Sequence, residues 1–304
     1  MNSEISVFAP AKINLFLEIT GKRTDGYHDI ATLFAKLAIG DNIKISVEKA
    51  DAVSIEIKVK GPFAQGVKAD KTNLAWKAAA AFFEYFGIKA KCAIRLEKNI
   101  PTGSGLGGGS SDAAAVLMAL CTLFKIETNA KRMKDLVKIA AKIGADVPSF
   151  LYEDTFFKAE GIGDILAPVK NQIKSPWIIV AYPGVPSSTK EAYERLKVGA
   201  KEKILTNLSS LNKLISAIEG GGTMKDWKPC VYNRMEEGVF KYIKPCAELK
   251  ADMIKNGADC AAMSGSGSCV FAFVDDKAKA EEIAGKIRKD DRIVFLTHFW
   301  RTKV

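Results

Sequence analysis

The chain has 304 residues, long enough for one large domain or two ordinary ones with a substantial buried core. Hydrophobic residues make up 48% and charged residues 26%, the balance of a soluble globular protein, and no apolar run approaches the roughly 20 residues of a membrane span. A formal charge of +10 favours an acidic partner, but the lysines form no block of about five or six, so a solvated surface is the plainer reading. The start "MNSEISVFAP" lacks a basic region followed by an apolar one, so no leader is expected. Six cysteines without a C-x-x-C pair read as reduced, mostly buried thiols of a cytoplasmic protein rather than a disulfide frame or a zinc site. His28 and His298 are the only histidines, which leaves little material for a two-histidine metal site or a serine–histidine triad.

In chain order, "EISVF" and "INLFLEITGK" read as strands, the second alternating Ile13, Leu15, Leu17 and Ile19 with Asn14, Phe16, Glu18 and Thr20. "RTDGYHDI" reads as a loop. "DNIKISVEK" and "VSIEIKVKG" are expected to form a hairpin pair. "TNLAWKAAAAFFEYFG" is a helix that starts at a Thr or Asn cap and stops at Gly87. "AKCAIRLEKNI" is a strand running into a glycine-rich stretch, followed by helices over "SSDAAAVLMALCTLF" and "AKRMKDLVKIAAKIG". Further strands are expected in "TFFKAEGIGDILAPV" and "WIIVAYPG", and helices at 188–197, 201–218 and 245–256. A flexible connector is expected at 219–228. The end reads as strand "DCAAMSG", strand "CVFAFVDD", helix "KAKAEEIAGKIRK" and strand "RIVFLTHFW". The fold class is therefore α+β, with a boundary near residue 160 dividing units 1–160 and 161–304.

The stretch "PTGSGLGGGSSDAA" joins a strand to a helix. Glycines remove the Cβ atoms that would hold a phosphate away and free backbone N–H groups to converge on it, and the helix N-terminus adds partial positive charge. The Walker form is excluded because no lysine lies in the loop. Gly103, Gly105 and Gly108 satisfy G-x-G-x-x-G, a dinucleotide pattern that is weak on its own and out of place so far from the chain start.

Three motifs in order carry a more specific resemblance. "PAKINLFLEITGKRTDGYH", "PTGSGLGGGSSDAA" and "AMSGSGSCVFAF", with "IGADVPSFL" between the last two, resemble the GHMP kinases, the superfamily of galactokinase and of homoserine, mevalonate and phosphomevalonate kinases. The forms "PAKINLFL", "RTDGYH" and "IGADVPSFL" are similar to its members that phosphorylate an alcohol carrying a cytidine diphosphate group. The resemblance implies a ribosomal protein S5 domain 2-like N-terminal lobe, a ferredoxin-like C-terminal lobe and an active site in the cleft between them.

Asp146 follows a helix stop and precedes Val147-Pro148, so it either caps the next turn or projects into a cleft. The resemblance implies the second, as the catalytic base. Lys12 and Asn14 share the strand face opposite Ile13 and Leu15, which a solvated face would also explain. The resemblance implies Lys12 beside the catalytic aspartate and Asn14 on the polar part of the alcohol. It further implies an ATP pocket of Asn73, Leu74 and Lys98 with the loop Pro101, Gly103, Ser104, Gly105, Leu106, Gly107, Gly108, Gly109, Ser110 and Ser111. The cytosine would be sandwiched by Tyr27 and Tyr193 and read by His28. Thr189 lies four residues before Tyr193, on the same face if that segment is helical. The last turn, Gly265, Ser266 and Gly267, would close on the substrate.

Magnesium is expected to arrive on ATP, with Ser110 or Ser111 near it, because the sequence offers no acidic cage. Departures from the family pattern are Ser104 for glycine, Asp112 for Asn or Ala at the helix entry, and Arg234 in place of an acid in "VYNRMEE". The alternatives are a mevalonate- or homoserine-type kinase, an RNA-binding module drawn by the basic charge, and a dehydrogenase. A kinase is expected to bind no nucleic acid or membrane and to be a monomer or weak homodimer.

Overall fold

The computed structural model describes residues 2–196, 198–289 and 291–301. Two long strands, β1 (Asn2–Lys22) and β2 (His28–Lys49), thread both of its compact units. The first unit comprises 1–11, 39–102 and 107–153, and the second 12–38, 103–106 and 154–304. The units thus interleave in sequence, whereas the expectation placed one boundary near residue 160.

In the first unit, β3 (Ser54–Lys60) and β4 (Ala90–Glu97) join the long strands in the order β3-β4-β2-β1. The expected hairpin of 41–49 with 53–61 is corrected by this order. β4 inserts between the two, antiparallel to β2 through Asn42↔Glu97 and parallel to β3 through Ser54↔Lys91. Alternation reveals a strand but not its neighbour, and sequential strands pair only part of the time.

The inward residues of this sheet pack against α1 (Leu74–Phe86), α2 (Gly108–Leu123) and α3 (Ala130–Ile143), with Phe82, Phe83, Leu117, Leu120 and Leu136 in one apolar core. Asn73 caps α1, accepting from the Ala75 amide at 2.9 Å, and Asn129 caps α3 through the Arg132 amide at 3.1 Å. A 3-10 turn, Val147–Leu151, closes the unit.

In the second unit, β2 pairs antiparallel with β5 (Phe156–Gly161), which pairs with β6 (Ile165–Val169). A four-stranded antiparallel sheet has the order β11-β7-β10-β9, formed by β7 (Trp177–Tyr182), β9 (Cys260–Met263), β10 (Val270–Val274) and β11 (Ile293–Thr297). Its helices are α4 (Thr189–Glu194), α5 (Lys201–Glu219), α6 (Met224–Trp227), α7 (Glu236–Tyr242), α8 (Lys244–Lys255) and α9 (Lys277–Ile287). The two-residue β8 (Tyr232–Asn233) runs parallel to β1, pairing Leu17 with Asn233.

Three expectations are revised here. The segments 4–8 and 13–22 are one strand, which continues through Pro10 where the sequence suggested a break. The strand expected at 41–49 begins at His28, so only residues 23–27 form a loop. The expected flexible connector at 219–228 contains α6, started by a Thr223–Asp226 capping box and anchored by buried Trp227, whose ring meets Phe273 edge-on at 4.9 Å. The glycines that suggested flexibility only end α5. Position 197, the end of the helix expected at 188–197, lies outside the described residues.

Candidate active site

In the second unit, β1 carries Lys12 and Asn14 into the interior. They are 6% and 4% exposed, which removes the solvated-face reading. Lys12 Nζ donates to Asn14 Oδ1 at 2.6 Å, and Asn14 Nδ2 donates to Thr32 Oγ1 at 2.9 Å. The Thr32 hydroxyl donates to the Phe16 carbonyl at 2.5 Å. Burying an ammonium is costly unless its hydrogen bonds are supplied, so this chain of donors fixes where the charge stands.

Two glycine turns close on the pair. The Lys12 amide donates to the Leu106 carbonyl at 2.9 Å, and the Ser264 hydroxyl donates to the Gly105 carbonyl at 3.0 Å while accepting from the Asn14 amide at 3.3 Å. The Ser104 carbonyl accepts from the Cys269 amide at 3.0 Å. Ser104 therefore knits the turns through its backbone, a role that serine fills as well as glycine. A Cβ on Gly265 would stand 3.2 Å from Asn14 Oδ1 and 3.3 Å from Lys12 Nζ, so the last turn runs directly against them.

The segment leading into α4 is tied to the same turns. Ser187 donates its amide to Gly103 at 2.9 Å and its hydroxyl to the Ser266 carbonyl at 2.7 Å, and the Thr189 and Ser266 hydroxyls lie 2.9 Å apart. Tyr193, one helical turn on, stacks on His28 with centroids 5.2 Å apart and planes at 26°. Burial, followed by the Lys22 charge, lowers the His28 pKa, which leaves a neutral ring at pH 7. Tyr27 is 61% exposed, in a turn closed by its own carbonyl accepting from the Arg23 amide at 2.8 Å.

In the first unit, the glycine run enters α2 at its N-cap, Gly107. The helix begins at Gly108 rather than at the serines, so the backbone amides of Gly108, Gly109 and Ser110 precede the first intrahelical bond, from the Ser111 amide to the Gly107 carbonyl at 3.0 Å. Such a helix entrance favours an anion. The earlier start also moves Asp112 from the helix entry to the fifth helical residue.

Asp112 is buried with its Oδ2 2.8 Å from Lys98 Nζ, and the same ammonium contacts Asp41 Oδ2. Burial pushes the Asp112 carboxyl up to about 7, against the pull of Lys98. Lys98 itself is raised: burial lowers it, but Asp112 and Asp41 together outweigh that. Asn73 caps α1 and donates Nδ2 to the Lys68 carbonyl at 2.8 Å. Leu74 places a methyl 3.6 Å from where a Cβ of Gly109 would be. Pro101 is buried.

Asp146 is exposed at the head of the 3-10 turn, its side chain makes no capping bond, and its carbonyl accepts from the Ser149 hydroxyl at 2.7 Å. The capping alternative is thereby removed. Asp146 belongs to the first unit and Lys12 to the second.

Several supporting residues were missed in the sequence. Asn233 on β8 is buried and donates to the Met263 carbonyl at 2.6 Å and the Gly265 carbonyl at 2.8 Å, clamping the last glycine turn. Asp41 had a signal: it shares the inward register of Ile43, Ile45 and Val47, where an acid is out of place without a partner. Arg234, the departure in "VYNRMEE", pairs with Glu237 and lies 3.8 Å from buried Glu18 on β1.

Comparison with known families places this geometry. Residues 73–154 match the GHMP kinases N terminal domain, and residues 208–292 match the GHMP kinases C terminal domain. The chain belongs to the GHMP kinases and is an ATP-dependent small-molecule kinase. It is 39% identical to a 4-diphosphocytidyl-2-C-methyl-D-erythritol kinase of Methylacidiphilum infernorum over 88% of this chain and 86% of that protein. It is 35% identical to the protein of the same name from Lachnoclostridium phytofermentans over 98% of both. A crystal structure of 4-(cytidine 5'-diphospho)-2C-methyl-D-erythritol kinase superposes with a TM-score of 0.76 at 30% identity, covering 97% of this chain and 99% of that one. The homoserine kinase of Cytophaga hutchinsonii, 21% identical with a TM-score of 0.76 over 97% of this chain and 94% of its own, shares the fold. Among the described residues, no helix is long and apolar enough to cross a membrane.

Proposed function

We propose that this chain transfers the γ-phosphoryl group of ATP to the 2-hydroxyl of 4-diphosphocytidyl-2-C-methyl-D-erythritol, releasing ADP and the 2-phosphate, in the non-mevalonate route to isoprenoid precursors. The observation that carries the reading is the buried Lys12–Asn14 pair lying against the Gly265 turn. It supplies a fixed cation and a polar amide beside the last glycine turn. Full-length similarity to kinases named for that substrate supports the choice of alcohol.

Phosphoryl transfer asks the protein for alignment and charge compensation more than for covalent chemistry. In this reading the amides at the entrance of α2 and the turn from Gly103 to Leu106 hold the phosphates, with Asn73 and Leu74 beside the adenine. Asp146 accepts the proton of the attacking hydroxyl, and Lys12 compensates the charge that develops. Tyr27, His28 and Tyr193, with Thr189, take the cytosine. The neutral His28 ring can donate from one nitrogen and accept at the other, which suits the edge of a base.

Magnesium would enter on the nucleotide. Among the described residues no group of three or more His, Cys, Asp or Glu side chains could hold a metal, whereas the buried Ser111 hydroxyl has no hydrogen-bond partner there. One spare hydroxyl fits a metal already ligated by phosphates, and that metal would neutralise charge on the transferring group. The reading takes the chain as a cytoplasmic monomer or weak homodimer.

The mechanism is tested by turnover of two variants. Asp146→Asn is expected to lower kcat by about 10²- to 10⁴-fold and Lys12→Met by about 10²-fold, each with a folded circular dichroism spectrum. Full turnover by Asp146→Asn would remove Asp146 from the role of base.

A further inference from the structure

Beneath the entrance of α2 lies a group of charges that phosphate binding by backbone amides does not itself require. Asp41, on the inward face of β2, is fully buried. Its Oδ1 accepts from the Asn99 amide at 2.5 Å and the Ile100 amide at 2.9 Å, which fixes the chain as it leaves β4. Its Oδ2 takes the Lys98 ammonium, and that ammonium donates in turn to Asp112 Oδ2 at 2.8 Å, in the second turn of α2. One connected set of bonds therefore runs from β2, through the exit of β4, to the helix that follows the glycine turn.

Its fit to the turn is close. A Cβ on Gly108, the first residue of α2, would stand 3.3 Å from both Asp41 Oδ2 and Lys98 Nζ, so the helix entrance rests on the charged group itself. Hydrophobic side chains of the same volume would hold a helix to a strand at no desolvation cost. What a buried ion set adds is a fixed direction, since each bond has a narrow geometry. The end of the helix so fixed is the one whose amides face the nucleotide.

We propose that Asp41, Lys98 and Asp112 form a charged clip that positions the phosphate-binding entrance of α2. Asp41 and Asp112 are positioning residues, acting on ATP through the backbone they hold, and Lys98 owes its place in the pocket to the same clip. The proposal rests on the reading of this entrance as the site of the ATP phosphates. It accounts for Asp112, a departure from the Asn or Ala of the family pattern. The acid at this position meets a buried lysine, and an Asn would still offer that lysine an oxygen.

The test is steady-state kinetics and ATP-induced thermal stabilisation of wild type, Asp112→Ala, Asp112→Asn and Asp41→Asn. Asp112→Ala is expected to raise KM for ATP about tenfold, with KM for the alcohol substrate within about twofold of wild type. Asp112→Asn keeps an acceptor for Lys98 and is expected to restore KM for ATP to within about twofold. Asp41→Asn sets an amide against the Lys98 ammonium. It should raise KM for ATP severalfold, and it supplies the test should Asp112→Ala not fold. In each impaired variant the rise in melting temperature caused by magnesium-ATP should shrink in step with KM.

An equal rise in both KM values, or a fall in kcat alone, would overturn the clip. So would an ATP-induced stabilisation that every variant keeps undiminished. Wild-type protein that gains no stability from magnesium-ATP would instead overturn the nucleotide reading, and the clip with it.

Discussion

Gly265 holds φ at +56°, in the left-handed region that a side chain occupies only at a cost, and it does so against Asn14 and Lys12. Gly265→Ala adds backbone strain of about 1–2 kcal/mol and pushes a methyl towards the buried pair. The expected outcome is a lower urea midpoint and a fall in kcat larger than that stability loss explains. A variant with wild-type kcat would show that the turn does not bear on the reacting groups. Asn233 acts one step further out. Its removal in Asn233→Ala leaves the buried Met263 and Gly265 carbonyls without their donor, for a loss of about 2–3 kcal/mol measured by urea unfolding.

Asp112 gives a pH signature. Its carboxyl titrates near 7 in the folded chain, above the ordinary carboxylate value, chiefly because it is buried. The folded state then holds a proton that the unfolded state has lost, so this contribution to stability is present below about pH 4 and is lost as pH rises through about 7. Asp112→Asn removes the titration. Its urea midpoint is expected to improve relative to wild type as pH rises from 5 to 8, and a constant difference across that range would contradict the assignment. At this scale the sequence shows residue types but not partners. Asp112 and Arg234 are legible as departures from the family pattern, whereas Lys12 also fits a solvated strand face. The groups that explain them come from distant strands and helices.

Elements whose signals are local were readable. Helix α1 has its Asn73 cap and its Gly87 stop, and α3 has Asn129, because capping involves bonds between residues two or three apart. Asn73→Ala should cost about 1 kcal/mol by thermal or urea unfolding, whatever it does to ATP affinity. Unchanged stability with a raised KM for ATP would assign Asn73 to the nucleotide alone. Elements that exist only through pairing were not readable. β8 is two residues long and is defined by its parallel register with β1, and the first half of β2 pairs with the distant β5. Helix α2 begins two residues before the expected Ser110, because glycine is a poor helix former and not an excluded one.

Across the molecule, the three glycine-bearing motifs disclosed the family because phosphate chemistry constrains backbone as well as side chains, and backbone demands leave a trace in the sequence. The bonds by which the second unit assembles its turns left none. Ser187 and Asn233 are ordinary polar residues until the segment before α4 and β8 bring them onto carbonyls of the last glycine turn, Ser266 and Gly265. The resemblance points to Lys12, Asn14 and Asp146 because they stand in its motifs, while Thr32, which braces Asn14, lies outside them. The central claim, that this constellation phosphorylates the cytidylyl alcohol, is tested most directly by ADP release with magnesium-ATP and 4-diphosphocytidyl-2-C-methyl-D-erythritol, run beside mevalonate and homoserine. The account predicts release with the first substrate and background rates with the other two; background release with the first, or equal release with all three, would contradict it.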